Sequence, residues 1–109
     1  MSDRTLELAA IERGAGPTVT LIHGGVFHSG PAWAKNLGPL VQGGYRVIAV
    51  DRRGYGRSPG GDAGLVTVGL QARDVAGTLD LREVGASHLV GVSYGALVAL
   101  ELALLDPAR

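Results

Sequence analysis

Cysteine is absent from the 109-residue chain, which removes disulfides, thiolate metal sites and a cysteine nucleophile and fits a reducing compartment. An excess of one charge sign is also missing. Ten Lys and Arg balance ten Asp and Glu, and the basic residues are scattered, so no surface attracts a phosphate backbone or an acidic membrane. Long apolar runs are lacking as well. Ala96-Leu97-Val98-Ala99-Leu100 and Leu102-Ala103-Leu104-Leu105 are split by Glu101 and fall far short of the ~20 residues of a membrane span. The opening Met1-Ser2-Asp3-Arg4 leads into mixed polar sequence rather than an apolar signal region. The expectation is a cytoplasmic protein with neither nucleic acid nor membrane as a partner.

What is present is apolar and glycine-rich. A hydrophobic content of 46% with 18 glycines argues for a globular fold with many tight turns and close backbone contacts. The length suits one domain of modest core, since a chain of this size buries about two-thirds of its unfolded surface.

Short β-type runs alternate with longer helical patterns, the signature of a mostly parallel sheet with helical crossovers on both faces. Thr5 to Glu12 reads as a lead-in strand, ended by Gly14-Ala15-Gly16-Pro17, and Thr18 to Ile22 as a strand broken by His23-Gly24-Gly25. Pro31 to Val41 reads as a helix, with Trp33, Leu37, Leu40 and Val41 at helical spacing and Gly43-Gly44 as its stop. Trp33 is then core. Tyr45 to Val50 is the next strand, and the glycine-rich stretch from Arg53 to Gly64 is a loop. From about Thr67 to Val84, the residues Val68, Ala72, Val75, Ala76 and Leu79 form one apolar stripe, with Arg73, Asp74 and Asp80 off it. Ser87 to Val92 has the composition of a covered central strand. Tyr94 to Leu105 is a helix polar only at Glu101, which predicts deep burial.

The informative motif is Gly91-Val92-Ser93-Tyr94-Gly95, a G-x-S-x-G between strand and helix. Such a turn is so sharp that the serine takes a strained backbone and the flanking positions tolerate almost no side chain. Gly91 and Gly95 supply that room. The serine oxygen then projects at the strand's C-terminal end, where backbone N–H groups of the helix start can meet a developing oxyanion. The pentapeptide alone is a weak pattern in a glycine-rich chain; its strand-before, helix-after context gives it weight.

With this motif the chain resembles the α/β-hydrolase family. Three segments occur in the family's order: His23-Gly24-Gly25 after a strand, Asp51-Arg52-Arg53-Gly54-Tyr55-Gly56-Arg57-Ser58 after the next, and the turn at Gly91 to Gly95. The resemblance covers about Thr5 to Arg109, and residues 1–109 read as the N-terminal part of a single domain of this fold. It implies Ser93 as nucleophile of a serine hydrolase acting on a small-molecule ester or related carbonyl. It further implies an oxyanion hole made by the backbone N–H of Tyr94 and that of Gly25, or of Val26 if the loop is displaced by one. His23 is implied as a loop-shaping residue, and Asp51 with its glycines as a loop supporting the site. No cofactor or metal is implied. The family's strand order places the His23 strand between the Asp51 and Ser93 strands, creating a topological switch point of the kind where open α/β sheets bind ligands. A bulky residue at Gly25 is expected to displace the oxyanion loop. Serine at the nucleophile position also separates the chain from the resembling epoxide hydrolase and haloalkane dehalogenase branches, which carry Asp there.

One part of the family pattern is missing. Acid and base follow the nucleophile in this fold, yet the sixteen residues after Ser93 hold Glu101, Asp106 and no histidine. The acid and base are therefore expected beyond residue 109. His88, five residues before Ser93 on one strand, lies ~16 Å from it at ~3.3 Å per residue and reads as structural or surface. His23 and His28 sit at the correct edge of the sheet; loop shaping is the reading for His23, pocket lining or solvent for His28. Gly54-Tyr55-Gly56 with Asp74 twenty residues on imitates a dinucleotide fingerprint, but Pro59 to Gly64 intervenes where a helix must open. Arg52, Arg53 and Arg57 read as solvated or structurally paired. Two function classes remain: a serine hydrolase, and a non-catalytic ligand- or partner-binding protein on the same scaffold, or an inactive fragment of it.

Overall fold

The computed structural model describes residues 7–25, 32–58 and 67–107. Four strands form one sheet in the order β1-β3-β2-β4. They are β1 (Ala10–Arg13), β2 (Thr18–Ile22), β3 (Arg46–Val50) and β4 (His88–Gly91). β1 runs antiparallel to β3, whereas β2 is parallel to both β3 and β4. Among the described residues, Ala32 and Trp33 are helical, and the helices with both ends described are α1 (Leu37–Gln42), α2 (Val68–Leu81) and α3 (Tyr94–Leu105).

The alternation of side chains along β2 and β3 divides the core into two layers. Val19, Leu21, Val47 and Ala49 face Trp33 and the α1 residues Leu37, Leu40 and Val41. Ile22, Ile48 and Val50 face the opposite side, where Ala72, Val75 and Leu79 of α2 and Val98 and Leu102 of α3 cover them. All five residues of β2 are buried, as expected of the strand whose C-terminal end carries the His23-Gly24-Gly25 turn. Thr20, the polar member, hydrogen-bonds Ser87 at 2.7 Å.

Several boundaries and burials differ from the sequence reading. Of the lead-in strand expected from Thr5 to Glu12, Thr5 and Leu6 lie outside the described residues, and the strand observed spans Ala10–Arg13, its pairing with β3 beginning where Ala10 meets Val50. Of the helix expected from Pro31 to Val41, Ala32 and Trp33 are helical, a turn occupies 34–36, and α1 begins at Leu37. Pro39 fits this break: it lacks an N–H and is tolerated in the first turn of a helix, which is where α1 places it. Pro31 lies outside the described residues. Helix α2 opens where expected, with Thr67 Oγ1 accepting the Leu70 N–H at 3.0 Å as an N-cap. It ends at Leu81 instead of Val84. Its Asp74, read as lying off the apolar stripe, is buried.

The largest departure concerns β4 and α3. Among the described residues β4 is an edge strand paired only with β2, and its residues alternate between exposed and half-buried. Helix α3 buries only Gly95, Val98 and Leu102, whereas Leu100 and Leu104 are 60% and 70% exposed. Composition announced surfaces fit for covering, and the described residues cover one side of each.

Candidate active site

The strand-to-helix turn predicted around Ser93 is present and strained. Ser93 sits between β4 and α3 with φ 56° and ψ −120°, a conformation costly for a residue with a Cβ. The side chain is exposed and forms no capping hydrogen bond to the helix below it, which leaves its oxygen projecting from the turn.

The glycines that flank it are required by contact. A Cβ on Gly91 would overlap the carbonyl of Gly95, and one on Gly95 would overlap the carbonyls of Ile22 and His23. The turn thus presses α3 directly onto the end of β2. Gly24 completes the approach: a Cβ there would lie 3.1 Å from the Val92 carbonyl oxygen and 3.2 Å from the Ser93 Cβ. The His23-Gly24-Gly25 turn and the serine therefore abut at the C-terminal edge of the sheet.

Among the described residues, a Cβ on Gly25 would meet the Tyr55 hydroxyl at 3.9 Å, an ordinary contact, so the closer packing against the serine turn is that of Gly24. Val26 and His28 lie outside the described residues.

His23 is fully buried and engaged at both ring nitrogens. Nδ1 lies 2.6 Å from the Gly24 carbonyl oxygen, and Nε2 accepts the Arg52 N–H at 3.0 Å. These contacts assign the Nδ1–H tautomer and tie the end of β2 to the loop after β3, in keeping with a loop-shaping role. His88 is exposed at the opposite end of β4.

The loop after β3 folds around Asp51. Its carboxylate accepts the Arg57 N–H at 3.2 Å, its carbonyl accepts the Ser58 hydroxyl, and Gly56, at φ +52°, leaves no room for a Cβ beside the carboxylate. Arg53 reaches α2, where Nε and Nη2 donate to the Asp74 carboxylate at 2.7 and 2.9 Å. The carboxylate raises the Arg53 guanidinium above its ordinary value through this hydrogen bonding. Asp74 is consequently committed to an arginine, which removes the dinucleotide alternative's ribose ligand.

Sequence reasoning missed Arg52 and Gln71. Arg52, read as solvated or structurally paired with no part in the site, is 4% exposed and stacks between the rings of Tyr55 and Tyr94, its guanidinium carbon 4.6 and 4.7 Å from their centroids. Gln71 accepts from Arg52 Nη1 at 2.6 Å and donates to the Tyr94 hydroxyl at 3.1 Å. A signal for Gln71 existed, because a polar residue three after Val68 and four before Val75 falls on the apolar stripe of α2. Gly25, Arg52, Arg53, Tyr55, Gln71 and Tyr94 line a cavity of about 390 Å³, so both candidate oxyanion residues border one concavity.

The alpha/beta hydrolase family pattern matches residues 21–109, and the chain belongs to that family. A protein of Variovorax paradoxus (strain S110) assigned as the carbamate hydrolase RutD is 47% identical over 90 residues, covering 82% of this chain and 34% of that protein. An epoxide hydrolase of Caballeronia sordidicola is 38% identical over 105 residues, with 95% and 32% covered. The solved structure of Est816, described as an N-acyl homoserine lactone degrading enzyme, superposes with a TM-score of 0.86 at 30% identity over 95% of this chain and 39% of that one. The chain thus spans about a third of the length of the curated relatives it matches, and it corresponds to their N-terminal portion.

Proposed function

We propose that the protein is a serine hydrolase acting on an ester or related carbonyl compound, with Ser93 as nucleophile. The observation that carries this reading is the strained Ser93 backbone at a strand-to-helix turn against which Gly24 packs. Similarity to proteins named as hydrolases supports the broader class. The serine directs the proposal toward carbonyl substrates, because an alkoxide adds to a carbonyl carbon and leaves an ester that water can cleave.

In this reaction Ser93 Oγ attacks the carbonyl carbon while a base removes its proton. The oxyanion of the tetrahedral intermediate accepts from the backbone N–H groups of Gly25 and Tyr94. Collapse expels the protonated leaving group, and water repeats the sequence on the acyl-enzyme to release the acid. Both nitrogens of His23 are engaged, which argues against His23 as the base, and the proposal takes the base and the acid that orients it from the region beyond residue 109. A fluorophosphonate probe added to the full-length protein is expected to add mass at Ser93, and Ser93→Ala to abolish both labelling and ester hydrolysis. Labelling elsewhere, or hydrolysis undiminished in Ser93→Ala, overturns the assignment.

A further inference from the structure

Two consecutive glycines make a poor oxyanion loop on their own. Without Cβ atoms, Gly24 and Gly25 allow the peptide between them wide rotational freedom, yet catalysis needs its N–H fixed before charge develops. Something outside the loop must hold that peptide.

The structure supplies a clamp at its other end. The carbonyl of Gly24 and the N–H of Gly25 belong to one planar unit; no cis peptide occurs among the described residues, so the two groups point in opposite directions. Arg52 Nη2 donates to that carbonyl at 2.9 Å, joined by His23 Nδ1 at 2.6 Å. Arg52 Nε donates to the preceding carbonyl, that of His23, at 3.1 Å. Fixing the oxygen of Gly24 fixes the direction of the Gly25 N–H.

The same contact changes the strength of the donor. A cation on a carbonyl oxygen draws electron density through the amide, which makes the attached N–H more positive, and hydrogen bonds in such a chain reinforce one another in a low dielectric. Arg52 suits this role because none of its hydrogen-bond acceptors among the described residues is a carboxylate. Its hydrogen-bond acceptors are the neutral oxygens of His23, Gly24 and Gln71, whereas Arg53, its neighbour, is neutralised by Asp74. A buried guanidinium without a carboxylate is costly, and here the two tyrosine faces and three acceptors hold it in place. One of those faces belongs to Tyr94, whose own N–H is the second candidate donor.

We propose that Arg52 is a positioning residue for the oxyanion hole, orienting and polarising the Gly24–Gly25 peptide from its carbonyl side. This rests on the serine hydrolase reading above. The test compares Arg52→Met and Arg52→Lys in the full-length protein, using a p-nitrophenyl ester and the fluorophosphonate probe. An interaction that strengthens only in the transition state acts on kcat and not on KM. Arg52→Met should therefore lose at least about tenfold in kcat, with KM within about twofold of wild type. Arg52→Lys, which keeps the charge and one donor, should recover part of the loss and serves if the methionine variant fails to fold. The Gly25 amide nitrogen resonance should move upfield in Arg52→Met as its carbonyl loses a charged donor, a reading independent of turnover. A folded Arg52→Met with unchanged kcat and an unmoved Gly25 resonance, or a loss confined to KM, overturns the proposal. If instead wild-type protein is not labelled at Ser93, the serine reading itself fails, and the two failures are distinct.

Discussion

The Cα of Gly95 rests against the carbonyl oxygen of Ile22, leaving no room for a Cβ between the first turn of α3 and the end of β2. This contact sets how far Ser93 stands above the sheet, because Ser93 is the residue through which β4 turns into that helix. The strain at Ser93 and the absence of side chains at 91 and 95 are one requirement seen at three positions.

Gly95→Ala should accordingly destabilise the protein by about 1–3 kcal/mol, the usual cost of overpacking. Gly77 offers the matched control: it lies inside α2 and an added Cβ meets nothing within 4 Å. Gly77→Ala should stabilise by up to ~1 kcal/mol, from helix propensity alone. Denaturant unfolding of the two variants checks the contrast, and equal effects would contradict the close contact at Gly95.

The Arg53–Asp74 pair carries a second prediction. Both side chains are almost fully buried and share two hydrogen bonds, so Asp74→Ala takes the carboxylate and both of these bonds from a buried guanidinium, at about 3–5 kcal/mol. Replacing both partners, as in Arg53→Met with Asp74→Leu, should restore most of that loss, since a buried ion pair is worth little more than well-packed apolar groups. A double-mutant cycle on unfolding free energies reads the coupling, and additive losses would mean that the two residues act separately.

Most of the fold was legible because its signals were local. The β-branched run Thr18 to Ile22 between Pro17 and a glycine pair could be little but a strand, and it is one over those residues. Helix α3 likewise spans Tyr94 to Leu105 as its composition suggested. The apolar spacing from Trp33 to Val41 marks the helical segment but not its break at 34–36, for which Pro39 was an available local signal. The burial of Asp74 and Arg52 could not be read, because the partners lie 19 to 29 positions away in sequence: Asp74 meets Arg53, and Arg52 meets His23 and Gln71. Of the candidate site, Ser93 and its glycines followed from one pentapeptide. The clamp on the Gly24 carbonyl is tertiary and left no periodic trace.

Glu12 gives a pH-dependent prediction. Its carboxylate receives Arg46 Nε at 2.8 Å and Arg82 Nη1 at 2.7 Å, linking β1, β3 and the end of α2. These partners, Arg46 foremost, hold its pKa below the ordinary value of 4.5. The folded state thus favours the ionised form, and the stabilisation is present above about 4.5 and is lost as pH falls through the lower, folded value. Glu12→Gln should be less stable than wild type at pH 7, and the two should converge in acid. A gap that persists at pH 2 would assign the effect to packing instead of charge.

The exposed apolar faces lead to the last prediction, which concerns the polypeptide of residues 1–109 expressed by itself. Leu97, Leu100 and Leu104 lie at helical spacing on α3 and are each at least half exposed, while Val90 and Val92 add apolar surface along the β4 edge. Isolated apolar residues at a surface are unremarkable, but a stripe beside an edge strand is not, because contiguous apolar area and open N–H and C=O groups both recruit other chains. Self-association should follow, with a sedimentation coefficient that rises with concentration. Leu100→Lys with Leu104→Glu places charges on the stripe without touching the buried Val98 and Leu102, so the double variant should keep its helical signal and sediment closer to a monomer. If the parent polypeptide is already monomeric at about 100 μM, a concentration at which hydrophobic contacts of ~5–6 kcal/mol are populated, these faces do not drive association. If the double variant associates as strongly as its parent, the β4 edge rather than α3 is the surface responsible, and a lysine at Val90 is the change that should then disperse it.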